Sequence, residues 1–171
     1  MTPVLLTERL LLRPFEHEDA GALATVMNDP QVARGVCAAP VPFTPLHGAA
    51  RILMMRAAEA RGDLAWAVEQ ADGTLAGLVT LTQGGGTHEL GIAIASPLWG
   101  QGLGREALSA VLSWLDRANP AARITVEVFA DTPAALRLLE GLGFVRLGTS
   151  SRFSLARGRS DAVAVFGRAA A

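Results

Sequence analysis

Short apolar runs and amphipathic stretches follow one another along this chain, and their two periods mark out its elements. RLLLRP, residues 9–14, reads as a strand stopped by Pro14. HEDAGALATVMNDP then sets Ala20, Leu23, Ala24 and Met27 at helical spacing and ends at the stop signal Asn28-Asp29-Pro30. CAAPVPFTP is a proline-dotted loop, after which Thr44 and Pro45 supply an N-cap and first position for LHGAARILMMRAAEAR, a helix closed by Gly62. LAWAVEQ and TLAGLVTL flank Ala71-Asp72-Gly73 as a hairpin, and ELGIAIA, residues 89–95, follows Gly84-Gly85-Gly86 as another strand.

The second half keeps the same grammar. REALSAVLSWLDRA gathers Ala107, Leu108, Val111, Leu112 and Leu115 on one helical face, and RITVEVFA, residues 123–130, alternates as a strand. Thr132 and Pro133 again read as N-cap and first helical position, and Leu136, Leu139 and Leu142 form a stripe before the stop at Gly143. VRLG at 145–148 and AVAVFG at 162–167 are the last strands, with an Arg- and Ser-rich loop between them. No internal repeat or linker interrupts this order. It predicts an α+β fold: one domain over residues 1–171, with a mixed, mostly antiparallel central sheet and helices on both faces.

Composition narrows the function classes. The 171 residues, 50% of them hydrophobic, suffice for one core, and a net charge of −1 gives no reason to expect a nucleic-acid partner. Cys37 is alone, so neither an internal disulfide nor a Cys-rich metal site is expected, and a reducing cytoplasm fits. The N-terminus lacks a basic stretch followed by an apolar one, and no run approaches the roughly 20 apolar residues of a membrane span. All 15 Lys-or-Arg positions are Arg. A Lys Schiff base and the Lys of a Walker A loop are therefore excluded. There is also no Tyr to serve as a phenolic acid.

The candidate chemistry begins at PLWGQGLGREA, residues 97–107, which sets Gly100, Gly102 and Gly104 between a strand and a helix. One reading is a tight turn that needs glycine conformations. The other is an anion cradle, in which amides from Gln101 to Arg105 point outward at the positive end of a helix and Arg105 faces the anion. The glycine spacing is one residue short of the dinucleotide-binding G-x-G-x-x-G, and the preceding hairpin is not a βαβ unit, so a Rossmann oxidoreductase fits poorly.

ELGIAIASPLWGQGLGREA followed by TPAALRLLEGLGF resembles the acetyl-CoA binding region of the GNAT N-acetyltransferases, RimJ/RimL-like ones in particular, and TERLLLRPFEHEDAGAL resembles the start of that subgroup. The resemblance implies acetyl-CoA as acetyl donor and no metal. It implies loop amides on Gln101, Gly102, Leu103, Gly104 and Arg105 for the coenzyme A pyrophosphate, and backbone N–H groups around Ile92, Ala93 and Ile94 to polarise the thioester carbonyl. Thr132 stands where the family has an Asn that contacts the pantetheine arm, Ala135 replaces a Ser, and Trp99 replaces the family's Gln or Arg.

The expected acceptor is a primary amine, either a protein N-terminal α-amine or a small molecule. Such an amine, with a pKa of about 10, must give up a proton before direct attack. Glu89 is the expected base, and His88 is the alternative, though strand alternation aims it at the opposite face. With no Tyr, the leaving thiolate falls to water or Ser96. Residues 15–60, including His17, Glu18, Asp19 and Arg34, are expected to hold the acceptor pocket or to be ordinary surface charges. A non-catalytic coenzyme A sensor is the reading from another class, and pairing of two copies through the C-terminal strands stays open.

Overall fold

The computed structural model describes residues 1–169. Eight strands form one sheet in the order β1-β2-β3-β4-β5-β6-β8-β7. They are β1 (Leu5–Leu6), β2 (Leu10–Pro14), β3 (Leu64–Gln70), β4 (Leu75–Gly84), β5 (Thr87–Ile94), β6 (Arg123–Phe129), β7 (Val145–Ser154) and β8 (Arg159–Ala169). Every neighbouring pair is antiparallel except β5 and β6, which run parallel and pair only at His88 with Ile124 and Glu89 with Thr125.

Helices cover both faces, as the order of elements predicts. Helices α1 (Ala20–Asn28), α2 (Pro30–Ala33) and α3 (Pro45–Ala58) lie on one, where Leu23, Met27, Phe43 and Ile52 close over Ala65, Ala67 and Leu78. Helices α4 (Leu103–Ala118) and α5 (Pro133–Glu140) lie on the other, burying Leu108, Val111, Leu115 and Leu139 against Trp66, Val79, Leu90 and Ile124. Ion pairs also tie α1 to the sheet. Arg13 on β2 holds Asp19, just before α1, with two bonds of 2.8 Å, and bonds Glu69 on β3 at 2.7 Å. Burial pushes the Asp19 carboxyl up, but bonds from Arg13 and the Glu16 N–H bring it below its ordinary value.

Differences from the sequence reading have local causes. Residues 149–154 and 159–161, expected as loop, are strand arms joined by a turn at 155–158. Their polar side chains suit an edge: β7 exposes nearly every residue, and its ladder to β8 alone supplies the pairing that an apolar pattern signals elsewhere. Asn28-Asp29-Pro30 both stops α1 and starts the unexpected α2, because the Asp29 carboxylate accepts the Gln31 N–H at 2.8 Å and Pro30 takes the first helical position. β1 is a two-residue strand too short for its pattern to be seen. Thr44 caps α3 as expected, whereas the Thr132 hydroxyl donates back to the Phe129 carbonyl and leaves α5 without a side-chain cap.

Candidate active site

Beyond Glu89 the parallel strands separate, and β5 turns one edge of its backbone toward the opening. The Ala95 N–H donates to the Ala76 carbonyl at 2.8 Å, and in this register alternate residues down β5 bond to β4. Ala93 therefore faces its peptide groups to Leu78, while Ile92 and Ile94 turn theirs toward the gap. The Ile94 carbonyl is taken by the Trp99 indole N–H at 2.7 Å. Trp99 is 49% exposed and fastens the loop to β5 through that bond. The N–H groups of Ile92 and Ile94 remain as donors aimed into the gap.

At the gap's end stands the glycine loop. Gly100 and Gly102 hold φ of 76° and 81°, in the left-handed region that other residues avoid. Gly104 differs, since the nearest atoms to a Cβ there are of Leu138 at 3.6 Å, Ile92 at 3.7 Å and Ile94 at 3.9 Å, all ordinary contacts. The first two glycines are thus required by the turn, and the third leaves the space between β5 and α5 clear. Helix α4 begins at Leu103, and the Glu106 N–H closes its first backbone bond onto the Gly102 carbonyl. The amides of Leu103, Gly104 and Arg105 thus lie in the first turn, at the positive end of the helix.

Side chains around the loop mostly hold it rather than face outward. The Arg105 guanidinium donates to the Gly141 carbonyl at 2.9 Å, at the end of α5, not to the mouth of the cradle. Arg9, which sequence reading passed over, donates to the Gln101 carbonyl at 2.9 Å and to Glu106 at 2.7 Å. Burial pushes the Glu106 carboxyl up, but bonds from Thr7 and Arg9 hold it below its ordinary value. Glu106 therefore staples the N-terminal segment to α4 as well as complementing the helix dipole.

On the opposite face of the sheet, Glu89 stands between Thr82 of β4 and Thr125 of β6. It is exposed, and its charge is felt at Arg152 and at Cys37. Glu127, two residues past Thr125 on the same face, is clasped by Arg152 in a two-pronged pair. Burial is the largest influence on the Cys37 thiol and pushes it up, with Arg152 opposing and Glu127 and Glu89 adding to the rise. Cys37 is thus held as a thiol. His88 lies on the α4 face beside Trp114 and Leu115, its Nδ1 buried without a partner, so alternation separates it from Glu89 as expected.

The loop carrying Cys37 is pinned by the β7–β8 turn. Arg157 donates to the Arg34 carbonyl at 2.8 Å and to Asp131 at 2.9 Å, and stacks 3.9 Å from the centre of the Phe129 ring. Ser96, a candidate proton donor to the leaving thiolate, instead gives its hydroxyl proton to Asp29, whose carboxyl is held low chiefly by that bond. Asp19 is locked by Arg13, and His17, Glu18 and Arg34 are exposed. Sequence reading missed Glu127 and Arg152 because only the fold brings residues 89, 127 and 152 together. Thr132 stands at the start of α5.

Residues 9–145 match the acetyltransferase (GNAT) domain family, a span that includes the loop, the β5–β6 gap and Glu89. The chain belongs to the GNAT acetyltransferase family. Its relatives include the uncharacterized N-acetyltransferase YoaA of Bacillus subtilis, 30% identical over 92% of each chain. The GNAT fold is shared with ribosomal-protein-S5-alanine acetyltransferase from Vibrio fischeri, at TM-score 0.85 and 18% identity over 98% of this chain and 97% of that one. It is shared also with RimL, a ribosomal L7/L12 α-N-protein acetyltransferase solved with coenzyme A, at TM-score 0.85 and 15% identity over 98% of both chains. Acetyl transfer from acetyl-CoA is the GNAT chemistry, and this chain is a GNAT acetyltransferase. Among the described residues no cluster of three His, Cys, Asp or Glu stands ready for a metal, and no helix is long and apolar enough to cross a membrane.

Proposed function

We propose that this protein acetylates a primary amine, a protein N-terminal α-amine or a small-molecule amine, by direct attack in a ternary complex. The observation that carries the reading is the opening between β5 and β6, which has backbone donors on its rim and a carboxylate at its root. Amides of Leu103, Gly104 and Arg105, with Gln101 and Gly102 shaping the turn, suit a pyrophosphate, and the missing side chain of Gly104 keeps its approach clear. When bound, acetyl-CoA supplies an acetyl group on a thioester.

The N–H groups of Ile92 and Ile94 point to where that carbonyl oxygen gains charge, Ala93 keeps β5 bonded to β4, and Thr132 borders the far side at the start of α5. Glu89 accepts the amine's proton as nitrogen bonds the acetyl carbon and the carbon–sulfur bond breaks. The thiolate takes its proton from water in this reading, since the Ser96 hydroxyl already serves Asp29.

The test is titration with acetyl-CoA, coenzyme A and NAD, followed by coenzyme A release with peptides and small amines. Binding of the first two with release on adding an amine is expected. A stable acetyl-enzyme forming before any amine is added would overturn direct attack, and binding without any turnover would favour the coenzyme A sensor.

A further inference from the structure

Arg51 of α3 has no place in the chemistry above. Its Nε is buried without a hydrogen-bond partner. Burial is the one influence on its basicity, and holds the guanidinium below its ordinary pKa with no neighbouring carboxylate to restore it. It stands in the wall of an open cavity of about 440 Å³ beside Phe43, Met54 and Met55, with Thr80 and Thr82 on the floor.

The other ionisable groups lining the cavity are already engaged. Asp63 faces Arg61 at 3.5 Å and accepts the Gln83 N–H at 2.8 Å, while His47 accepts the Thr44 N–H at 3.0 Å. Guanidinium does not shed its proton, so a buried Nε–H left unpaired is a cost to the fold that an oxygen acceptor removes. The floor residue Thr82 pairs directly across to Glu89, and Thr80 to Gly91. The cavity therefore opens beside the carboxylate proposed to receive the amine.

We propose that the acceptor is a small amine that also carries an oxyanion, a carboxylate or a phosphate, and that Arg51 is its partner. The inference rests on the reading of Glu89 as the amine side of the site. Cation and anion of one molecule then meet opposite charges, Glu89 at the edge of β5 and Arg51 over β3 and β4. The planar fork of the guanidinium suits two oxygens of either group. Met54 and Met55 add apolar surface beside that pair.

The test compares matched amines with acetyl-CoA: β-alanine against propylamine, and phosphoethanolamine against ethylamine. In the natural protein the oxyanion-bearing member of at least one pair should show kcat/KM at least tenfold above its neutral partner, and which pair responds identifies the oxyanion. Arg51→Met should erase that advantage through KM, and Arg51→Lys should restore part of it. Thermal unfolding gives a readout free of turnover. β-Alanine or phosphoethanolamine should raise the melting temperature of the natural protein and leave that of Arg51→Met unchanged.

Neutral amines used equally well overturn the anion site and leave the acetyltransferase reading intact. An Arg51-dependent thermal shift without acetylation of any amine keeps the anion site and overturns Glu89 as its catalytic neighbour. No thermal shift and no preference overturn the proposal outright.

Discussion

The two halves of the site are built from different materials. Around the α4 N-terminus the groups aimed at the gap are backbone: amides 103–105 and the N–H groups of Ile92 and Ile94, with the side chains of Trp99, Arg9 and Arg105 bonded to backbone carbonyls that hold the frame. On the α1–α3 face the groups on offer are side chains, Glu89, Glu127, Arg152 and Arg51, brought from four separate elements. A backbone site survives wide changes of sequence as long as its turn survives. A side-chain site changes its ligand whenever one residue changes, which is how one fold accepts many amines around a constant donor.

The largest test of that contrast is Glu89→Gln. Loss of a general base lowers kcat by about 10²–10³-fold, and the affinity for coenzyme A should stay as it was, because nothing on the α4 side touches Glu89. Glu127→Gln is the companion. Its carboxylate is already clasped by Arg152, so it should cost less. A greater loss at Glu127 would move the base from β5 to β6.

The same contrast explains what the sequence disclosed. The glycine loop, the strand before it and the helix after it lie within 32 consecutive residues, so periodicity and a local motif were enough to read them. The register that separates Ala93 from Ile92 and Ile94 was hidden, because it depends on which β5 residues bond to β4. Arg51 lies within a helix that periodicity reads, and only packing against β3 and β4 shows its Nε to be buried. Residues 149–154 looked like loop because an exposed edge strand lacks the apolar alternation that announces a buried one.

Next in size is the scaffold of the amine side. Asp19→Asn should destabilise the fold by about 2 kcal/mol, since Arg13 keeps only Glu69 as charged partner. The folded-state pKa of Asp19 lies below its unfolded value of about 4. Its stabilisation is thus complete above that unfolded value and disappears as pH falls through the folded one. Chemical denaturation at falling pH should show the natural protein losing stability faster than Asp19→Asn below about pH 4. Parallel curves would mean that the pair contributes nothing.

Gly104→Ala should divide affinity from stability on the other side. The added methyl meets no atom closer than 3.6 Å, and alanine favours a helix over glycine by up to about 1 kcal/mol, so melting should hold or rise. The methyl projects into the space between β5 and α5, and coenzyme A affinity should fall about tenfold, or about 1.4 kcal/mol. Unchanged affinity would move the pyrophosphate away from this turn.

The smallest expected effect is the sharpest statement about the cradle. Gln101 carries the one polar side chain inside the glycine loop, and a reading built on side chains makes it a phosphate ligand. Its side-chain amide instead bonds back to the Pro97 carbonyl at 3.3 Å, and the atom that anchors the loop is its backbone carbonyl, held by Arg9. Gln101→Ala leaves that carbonyl, the Gly102 conformation and the first-turn amides in place. Coenzyme A affinity, measured by calorimetry, should change by less than about twofold, or roughly 0.4 kcal/mol. A tenfold loss would make the cradle a side-chain site like the face across the sheet, and the division between the two halves would fail.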